Sequence, residues 1–219
     1  MKTACFIPIK LNSERVPGKN FRMLNGKKLY EYIIEHSIEA ACFDEIFVDT
    51  NSEEIAEYAL AKNLKVIPRL DVLAQNTANG NDLLVYHGEK YPEFDYYFQL
   101  FATAPFLQPE SIRKCVDRLV NTAEYDSCMT VCAHQGYYWF REMPINYRPD
   151  ILPRSQDMHP VYEETTGMYG ITSEALRKYQ CRIGKNPYMH SVSKFEAVDI
   201  NTEEDLLIAE YIGKVYWKY

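Results

Sequence analysis

The chain has 219 residues, 47% of them apolar and 25% charged, with a net charge of −7. That is enough apolar material for one well-cored domain with a small inserted arm, and too much for a disordered chain. The acidic balance excludes a general nucleic-acid binder, which needs a basic footprint, and no apolar run approaches the ~20 residues that span a bilayer. The start turns polar at Lys10, so it is too short for the apolar region of a secretory signal. Six scattered cysteines without an export signal read as reduced thiols in a cytoplasmic protein. Cys128 and Cys132, four apart on a predicted strand, read as packing residues rather than metal ligands, since no second Cys/His pair accompanies them.

In chain order, the apolar run Ala4 to Ile9 predicts a buried strand. Leu29 to Cys42 predicts a helix with Leu29, Tyr30, Ile33, Ile34, Ile38 and Ala41 on one stripe. Ile46 to Val48 predicts the second strand, and Ser52 caps a helix whose first turn carries Glu53 and Glu54, suited to the positive helix end. Asn63 is a helix stop before a third strand, Leu64 to Ile67. Tyr96 to Phe101 is a fourth strand, Pro109 opens a helix bearing Ile112, Cys115, Val116, Leu119 and Val120, and Ser127 to Val131 is a fifth strand. From about Ala133 to Pro160 no period is visible, with four prolines and the aromatic run Tyr137 to Phe140. Regularity resumes near Met168 and ends in a helix through Ile212, opened by Thr202-Glu203-Glu204-Asp205 in a capping-box pattern. The class is α/β with a mostly parallel sheet in a single domain over 1–219. Residues 133–165 form a projecting arm, longer than most structureless loops and suited to function or dimerisation.

Charge is unevenly placed. Residues 10 to 28 carry Lys10, Arg15, Lys19, Arg22, Lys27 and Lys28 against Glu14 alone, a local +5 in an acidic chain. The segment follows the first strand, at the carboxyl edge where open α/β sheets bind ligands. Asn12-Ser13 and Pro17-Gly18 make it a turn-rich loop able to wrap an anion, and a polyphosphate is its natural guest. Arg22, Lys27 and Lys28 read as solvated surface, and Lys19 as a loop lysine with little packing. Neither a Walker loop nor a dinucleotide fingerprint is present. The five histidines form no metal pair at helical spacing, and neither Gly-x-Ser-x-Gly nor Asp-x-Asp occurs.

Pro8-Ile9-Lys10-Leu11-Asn12-Ser13-Glu14-Arg15-Val16-Pro17-Gly18-Lys19-Asn20 resembles the opening motif of the sugar-acid cytidylyltransferases, which include the CMP-sialic acid and CMP-Kdo synthetases. Five further segments resemble that family in the same order. They are Val48 to Ile55, Arg69 with Leu73-Ala74-Gln75-Asn76-Thr77-Ala78, Thr103-Ala104-Pro105, Arg154-Ser155-Gln156-Asp157 with Gly167-Met168-Tyr169, and Val198 to Leu206. The resemblance implies a Rossmann-like, mostly parallel sheet flanked by helices, of the nucleotide-diphospho-sugar transferase type, with an inserted dimerisation arm. It implies binding of CTP, Mg²⁺ and a 3-deoxy-2-ulosonic acid, with the anomeric hydroxyl attacking the α-phosphorus to give a CMP-sugar and pyrophosphate.

Residue by residue, the resemblance makes Lys10 and Lys19 the catalytic cations. Lys10, Asn12, Ser13, Arg15, Lys19, Asn20, Arg69 and Thr77 become the nucleotide site. Arg154, Gln156, Glu164 and Tyr169 contact the acceptor, Arg154 through its bidentate fork on a carboxylate. Asp199 and Asn201 hold the metal, Asp199 being read as a ligand rather than a cap because Thr202 fills the capping role. Asp157 and Glu164 are also weighed as bases or hydroxyl acceptors against surface carboxylates. The implied partners are CTP, an acidic sugar and a second copy of the chain, with no nucleic acid and no membrane. Lys10 replaces an arginine, Glu14 a lysine or threonine, Phe101-Ala102 a Gln-Pro, Thr166 an asparagine and Asn201 an aspartate. These departures point away from N-acetylneuraminate itself as the acceptor. They leave open a nucleotidyltransferase for a phosphonate or sugar phosphate, and a non-catalytic nucleotide-binding homologue.

Overall fold

The structure, a computed structural model, describes residues 1–75 and 77–215. Strand β1 (Thr3–Ile9) is apolar along almost its whole length and buried on both faces, as a central parallel strand requires. A short hairpin of β2 (Met23–Leu24) and β3 (Lys27–Lys28) leads into α1 (Leu29–Ala40), which buries the predicted stripe apart from Ile38 and Ala41, both exposed. The helix ends at Ala40 rather than Cys42, because Ala41 turns into the left-handed region at φ 48°. Strand β4 (Glu45–Thr50) precedes α2 (Glu53–Ala61), whose N-terminus is capped by Ser52 Oγ accepting from the Ile55 amide at 3.4 Å. Asn63, left-handed at φ 60°, closes α2 before β5 (Lys65–Pro68), as the sequence predicts.

Two helices unmarked by the apolar period follow, α3 (Asp71–Ala74) and α4 (Gly80–Lys90). A reciprocal Asn79/Asp82 capping box starts α4. Next come β6 (Tyr96–Leu100), α5 (Pro109–Asn121) with proline in its first turn, and β7 (Ser127–His134). The arm holds a small hairpin, β8 (Trp139–Phe140) with β9 (Met143–Pro144), and a 3₁₀ turn at Ser155–Asp157. The chain returns through β10 (Val161–Thr172), α6 (Ser173–Tyr179), β11 (Pro187–Val192) and α7 (Glu203–Val215). Residues 133–165 therefore begin and end in strand, with Val161 paired to His134 and Glu164 to Val131.

The central sheet runs β11-β7-β10-β6-β1-β4-β5. All of its strands are parallel except β10, which runs antiparallel to both neighbours. From β1 the chain first builds one side, β4 then β5, and later crosses to β6 on the other. The carboxyl ends of β1 and β6 thus form a topological switch point, where ligands of such sheets bind. The largest core cluster joins α1 and α5 to one face through Ile33, Ile34, Val48, Phe98 and Ile112. The other face is closed by Phe6, Phe47, Leu84, Tyr97 and Leu176, beneath α4 and α6. Among the described residues no helix is long and apolar enough to cross a membrane.

Candidate active site

The loop after β1 and the loop after β6 enclose a cavity of about 430 Å³ at this switch point. Lys10, Ser13, Arg15, Lys19, Asn20 and Arg69 line it, together with Gly80, Phe101, Ala102 and Thr103. Six of the eight predicted nucleotide residues therefore line one cavity. Asn12 and Thr77 are exposed and do not line it, and Asn76 lies outside the described residues. The remaining cations of the basic segment are spent on surface pairs, Arg22 with Glu203, Lys27 with Glu35 and Lys28 with Glu54.

Lys19 corrects one expectation. It is buried, and its Nζ donates to the Ile200 carbonyl at 2.6 Å, tying the opening loop to the segment that carries Asp199. Burial lowers its pKa to about 8, opposed by Asp199 and reinforced by Arg15 and Lys10. The turn that places it depends on Gly18 at φ 63°, a left-handed position that glycine adopts freely. Asn20 Nδ2 donates to the Lys10 carbonyl at 2.8 Å, which fixes the loop's entry.

The Asp199 segment is held on several sides. The Ile200 amide donates to the Thr103 carbonyl at 2.8 Å. Asp199 Oδ2 accepts from Asn201 Nδ2 at 2.5 Å and from Thr166 Oγ1 at 2.6 Å, while its buried Oδ1 has no partner among the described residues. Asn201 Oδ1 in turn accepts from Arg15 at 2.5 Å. The capping role does fall to Thr202, whose Oγ1 accepts from the Asp205 amide at 3.2 Å while Asp205 takes the Thr202 amide at 2.7 Å. Thr166 sits in an irregularity of β10 at φ 50°, where a β-branched residue is strained. An asparagine tolerates that backbone better. Thr166 instead spends the strain on aiming its hydroxyl at Asp199.

Arg69 is anchored from behind. Its Nε donates to Asp49 Oδ1 at 2.9 Å, and His87 Nε2 meets Asp49 Oδ2 at 2.7 Å, all three side chains being buried. Burial lowers the His87 pKa, against the pull of Asp49, so the imidazole is neutral and this contact is a hydrogen bond rather than an ion pair. Sequence reasoning gave Asp49 and His87 no role, although Asp49 stands in one of the matched segments.

The predicted acceptor residues are dispersed. Arg154 is exposed on the arm, its Nε donating to Asp157 at 2.7 Å, and the Gln156 carbonyl accepts from Gln135. Neither lines the cavity. Tyr169 is buried on β10 and donates to Glu164 at 2.6 Å; burial, then that carboxylate, raises its pKa. Neither Tyr169 nor Glu164 lines the cavity, but the Tyr169 ring meets Phe101, a cavity residue, edge-on at 6.2 Å.

The cavity at the switch point is lined by Lys10, Arg15, Lys19 and Arg69 with Glu14, and Asp199 and Asn201 lie outside its lining, joined to it through the Lys19–Ile200 contact. A cationic pocket at the carboxyl edge of an α/β sheet suits an anionic ligand. A family profile described as cytidylyltransferase matches residues 4–184, and the chain belongs to that family. It is 28% identical over 218 residues to N-acylneuraminate cytidylyltransferase A of Danio rerio, covering 92% of this chain and 50% of that protein. It is 27% identical over 231 residues to the pseudaminic acid cytidylyltransferase of Campylobacter jejuni, covering 98% of this chain and 97% of that one. Its fold is similar to that of a CMP:2-keto-3-deoxy-manno-octonic acid synthetase complexed with CTP, at TM-score 0.73 and 18% identity over 98% of this chain and 99% of that one. The chain spans about half the length of the N-acylneuraminate relatives it matches.

Proposed function

We propose that the protein transfers CMP from CTP to the anomeric hydroxyl of an acidic sugar, of nonulosonic or other 3-deoxy-2-ulosonic type, and releases pyrophosphate. The observation that carries this reading is the convergence of Lys10, Arg15 and Lys19 on one cavity, next to the half-satisfied Asp199, in a chain of the cytidylyltransferase family. In-line attack on a triphosphate demands positioning and neutralised oxygens more than covalent work by the protein. Lys10 and Lys19 neutralise the phosphates as charge passes to the leaving pyrophosphate, with Arg15 and the backbone at Asn12 and Ser13 assisting. Asn20 fixes the loop, and Arg69 serves the nucleoside end, whereas Thr77, outside the cavity lining, takes no part in this reading. The sugar oxygen bonds to the α-phosphorus as the bond to the β-phosphate oxygen breaks, and the hydroxyl proton passes to solvent.

The bare Asp199 Oδ1 suits a hard divalent cation such as Mg²⁺, which takes few protein oxygens and fills its shell with water and phosphate. Asn201 Oδ1 would join it once Arg15, which now donates to it, turns to the triphosphate. When bound, such an ion would neutralise phosphate oxygen and lower the pKa of the attacking hydroxyl. Tyr169 and Glu164 contribute to the acceptor side within one chain, whereas Arg154 and Gln156 require the arm, 133–165, of a second subunit in a cytoplasmic homodimer.

The test is pyrophosphate release with CTP and Mg²⁺ against pseudaminic, legionaminic, N-acetylneuraminic and Kdo acids, with ATP, GTP and UTP as controls. CTP-specific release with one acid is expected. Asp199→Ala should lose both turnover and Mg²⁺ dependence, and a fully active variant contradicts the metal assignment. Release only with a phosphonate or sugar phosphate, or no nucleotide binding, contradicts the acceptor class or the activity respectively.

A further inference from the structure

Arg182, in the loop between α6 and β11, occupies an unusual electrostatic position. Its guanidinium carbon lies 3.7 Å from the Tyr169 ring centre and 5.7 Å from that of Phe101. Its other side rests against the start of α4, where a Cβ added to Gly80 would meet Arg182 Nη1 at 2.4 Å. A side chain at Gly80 would push the guanidinium out of that position. The backbone is held too, the Arg182 amide donating to Asn81 Oδ1 at 3.1 Å. The start of a helix is its positive end, the wrong place for a cation, and an aromatic face offsets this only in part. Among the described residues no carboxylate lies within ion-pair distance of the Arg182 guanidinium.

A second, independent feature points into the same corner. Gln99, on β6, is fully buried; its Nε2 donates to the Gly80 carbonyl at 3.1 Å, which fixes the amide's orientation. Its Oε1 has no partner among the described residues and lies 3.2 Å from the position a Gly80 Cβ would take. A buried amide oxygen without a donor costs about 1–3 kcal/mol. The corner thus holds a guanidinium without a carboxylate and a buried acceptor without a donor, both just behind the cavity lining. Gly80 and Phe101, which frame it, also line the nucleotide cavity.

We propose that Arg182 binds the carboxylate of the acceptor sugar, with Gln99 Oε1 taking a hydroxyl or amide N–H of the same sugar. This rests on the cytidylyl-transfer reading and deepens it. In a 2-ulosonic acid the carboxylate is bonded to the anomeric carbon, so the group that grips it also orients the attacking hydroxyl. An anion at this point relieves both the bare guanidinium and the positive helix start. The in-chain Arg182 then takes the role that resemblance assigns to Arg154.

The test compares Arg182→Gln, Arg182→Lys and Arg154→Gln with the wild type, using the acid of the four-member panel that supports turnover and the 1-carboxamide of that acid. Arg182→Gln should raise the KM of the acid by about tenfold to a hundredfold, as expected for losing a charged hydrogen bond. Its KM for CTP and its CTP-induced rise in Tm should stay unchanged, which also reports that the variant is folded. Arg182→Lys, retaining charge without the fork, should fall between, and the preference for acid over carboxamide should shrink in Arg182→Gln. Should Arg182→Gln fail to fold, Arg182→Lys binding the acid as tightly as the wild type overturns the proposal. An unchanged KM in a folded Arg182→Gln, or loss of acid binding in Arg154→Gln alone, also overturns it. If the wild type turns over none of the four acids, the acidic-sugar reading on which this proposal rests fails, an outcome separate from any variant effect.

Discussion

Burial draws the Lys19 ammonium down to about 8, against an ordinary value of 10.5, while Asp199 opposes the shift and Arg15 and Lys10 reinforce it. Between those two values the unfolded chain binds the extra proton, so this group's contribution to stability rises with pH. Its contribution to catalysis runs the other way, because the phosphates need the charged form. In the free enzyme kcat/KM for CTP should fall above pH about 8, and Lys19→Arg should remove that inflection. A profile flat to pH about 9.5 contradicts the role. Lys19→Ala should lose turnover and also some stability, since the Ile200 carbonyl loses its donor. Behind Arg69, His87 is buried and neutral, its pKa held below the ordinary value by desolvation. A group of that kind stabilises fully above its unfolded value, about 6.5, and less as the unfolded chain takes up its proton below it. Asp49, lowered by His87 and Arg69 in spite of burial, adds stability that is lost only further down, below about pH 4. The melting temperature should therefore start to fall below pH about 6.5. Asp49→Ala should cost about 3–5 kcal/mol by leaving Arg69 buried without its counter-charge. Chemical denaturation at pH 7 measures this, and a loss below 1 kcal/mol contradicts the pair's structural role.

At the scale of elements, β10 carries the clearest steric demand. Gly170 pairs with Phe98 on one side and Cys128 on the other, and a Cβ there would meet the Phe98 ring at 2.5 Å and Cys128 Sγ at 2.7 Å. Gly170→Ala should destabilise by about 1–3 kcal/mol through overpacking, measured by thermal or denaturant unfolding. A neutral substitution means that the strands slide past each other. The parallel strands β1, β4, β5 and β6 were legible from short, mainly apolar runs, helices α1 and α5 from a 3.6-residue stripe, and α2 from its Ser52 cap and acidic first turn. The direction of β10 was not, since a two-residue period has no polarity. Helix α4 escaped because few of its residues are buried, and its only local signal is the Asn79-x-x-Asp82 cap. In the candidate site, Lys10, Ser13, Arg15, Lys19 and Asn20 were legible because they come from one loop. Thr166, Gln99, Arg182 and the Asp49–His87 support were not, because they reach the site from β10, β6, the loop after α6, β4 and α4, and only the tertiary fold joins them.

At the scale of the whole molecule, the arm presents Trp139, Phe140, Met143 and Leu152, each more than half exposed, on a stem formed by β7 and β10. A cluster of this kind is the surface expected of a subunit interface. Sedimentation should give a dimer, and Phe140→Glu with Met143→Glu should give a folded monomer with weakened acceptor binding. A monomeric wild type with full activity contradicts the part assigned to the arm. In an acidic chain, Lys10, Arg15, Lys19 and Arg69 meet at one sheet edge, a local field suited to a polyanion. The chemistry assigned to that edge is transfer of CMP to the sugar's own anomeric oxygen, and the mass of the product tests this directly. With CTP, Mg²⁺ and the active acid labelled with ¹⁸O at its anomeric hydroxyl, the CMP-sugar should retain the label and pyrophosphate should be free of it. Free CMP without a CMP-sugar, or a CMP-sugar without the label, contradicts attack by the sugar on the α-phosphorus.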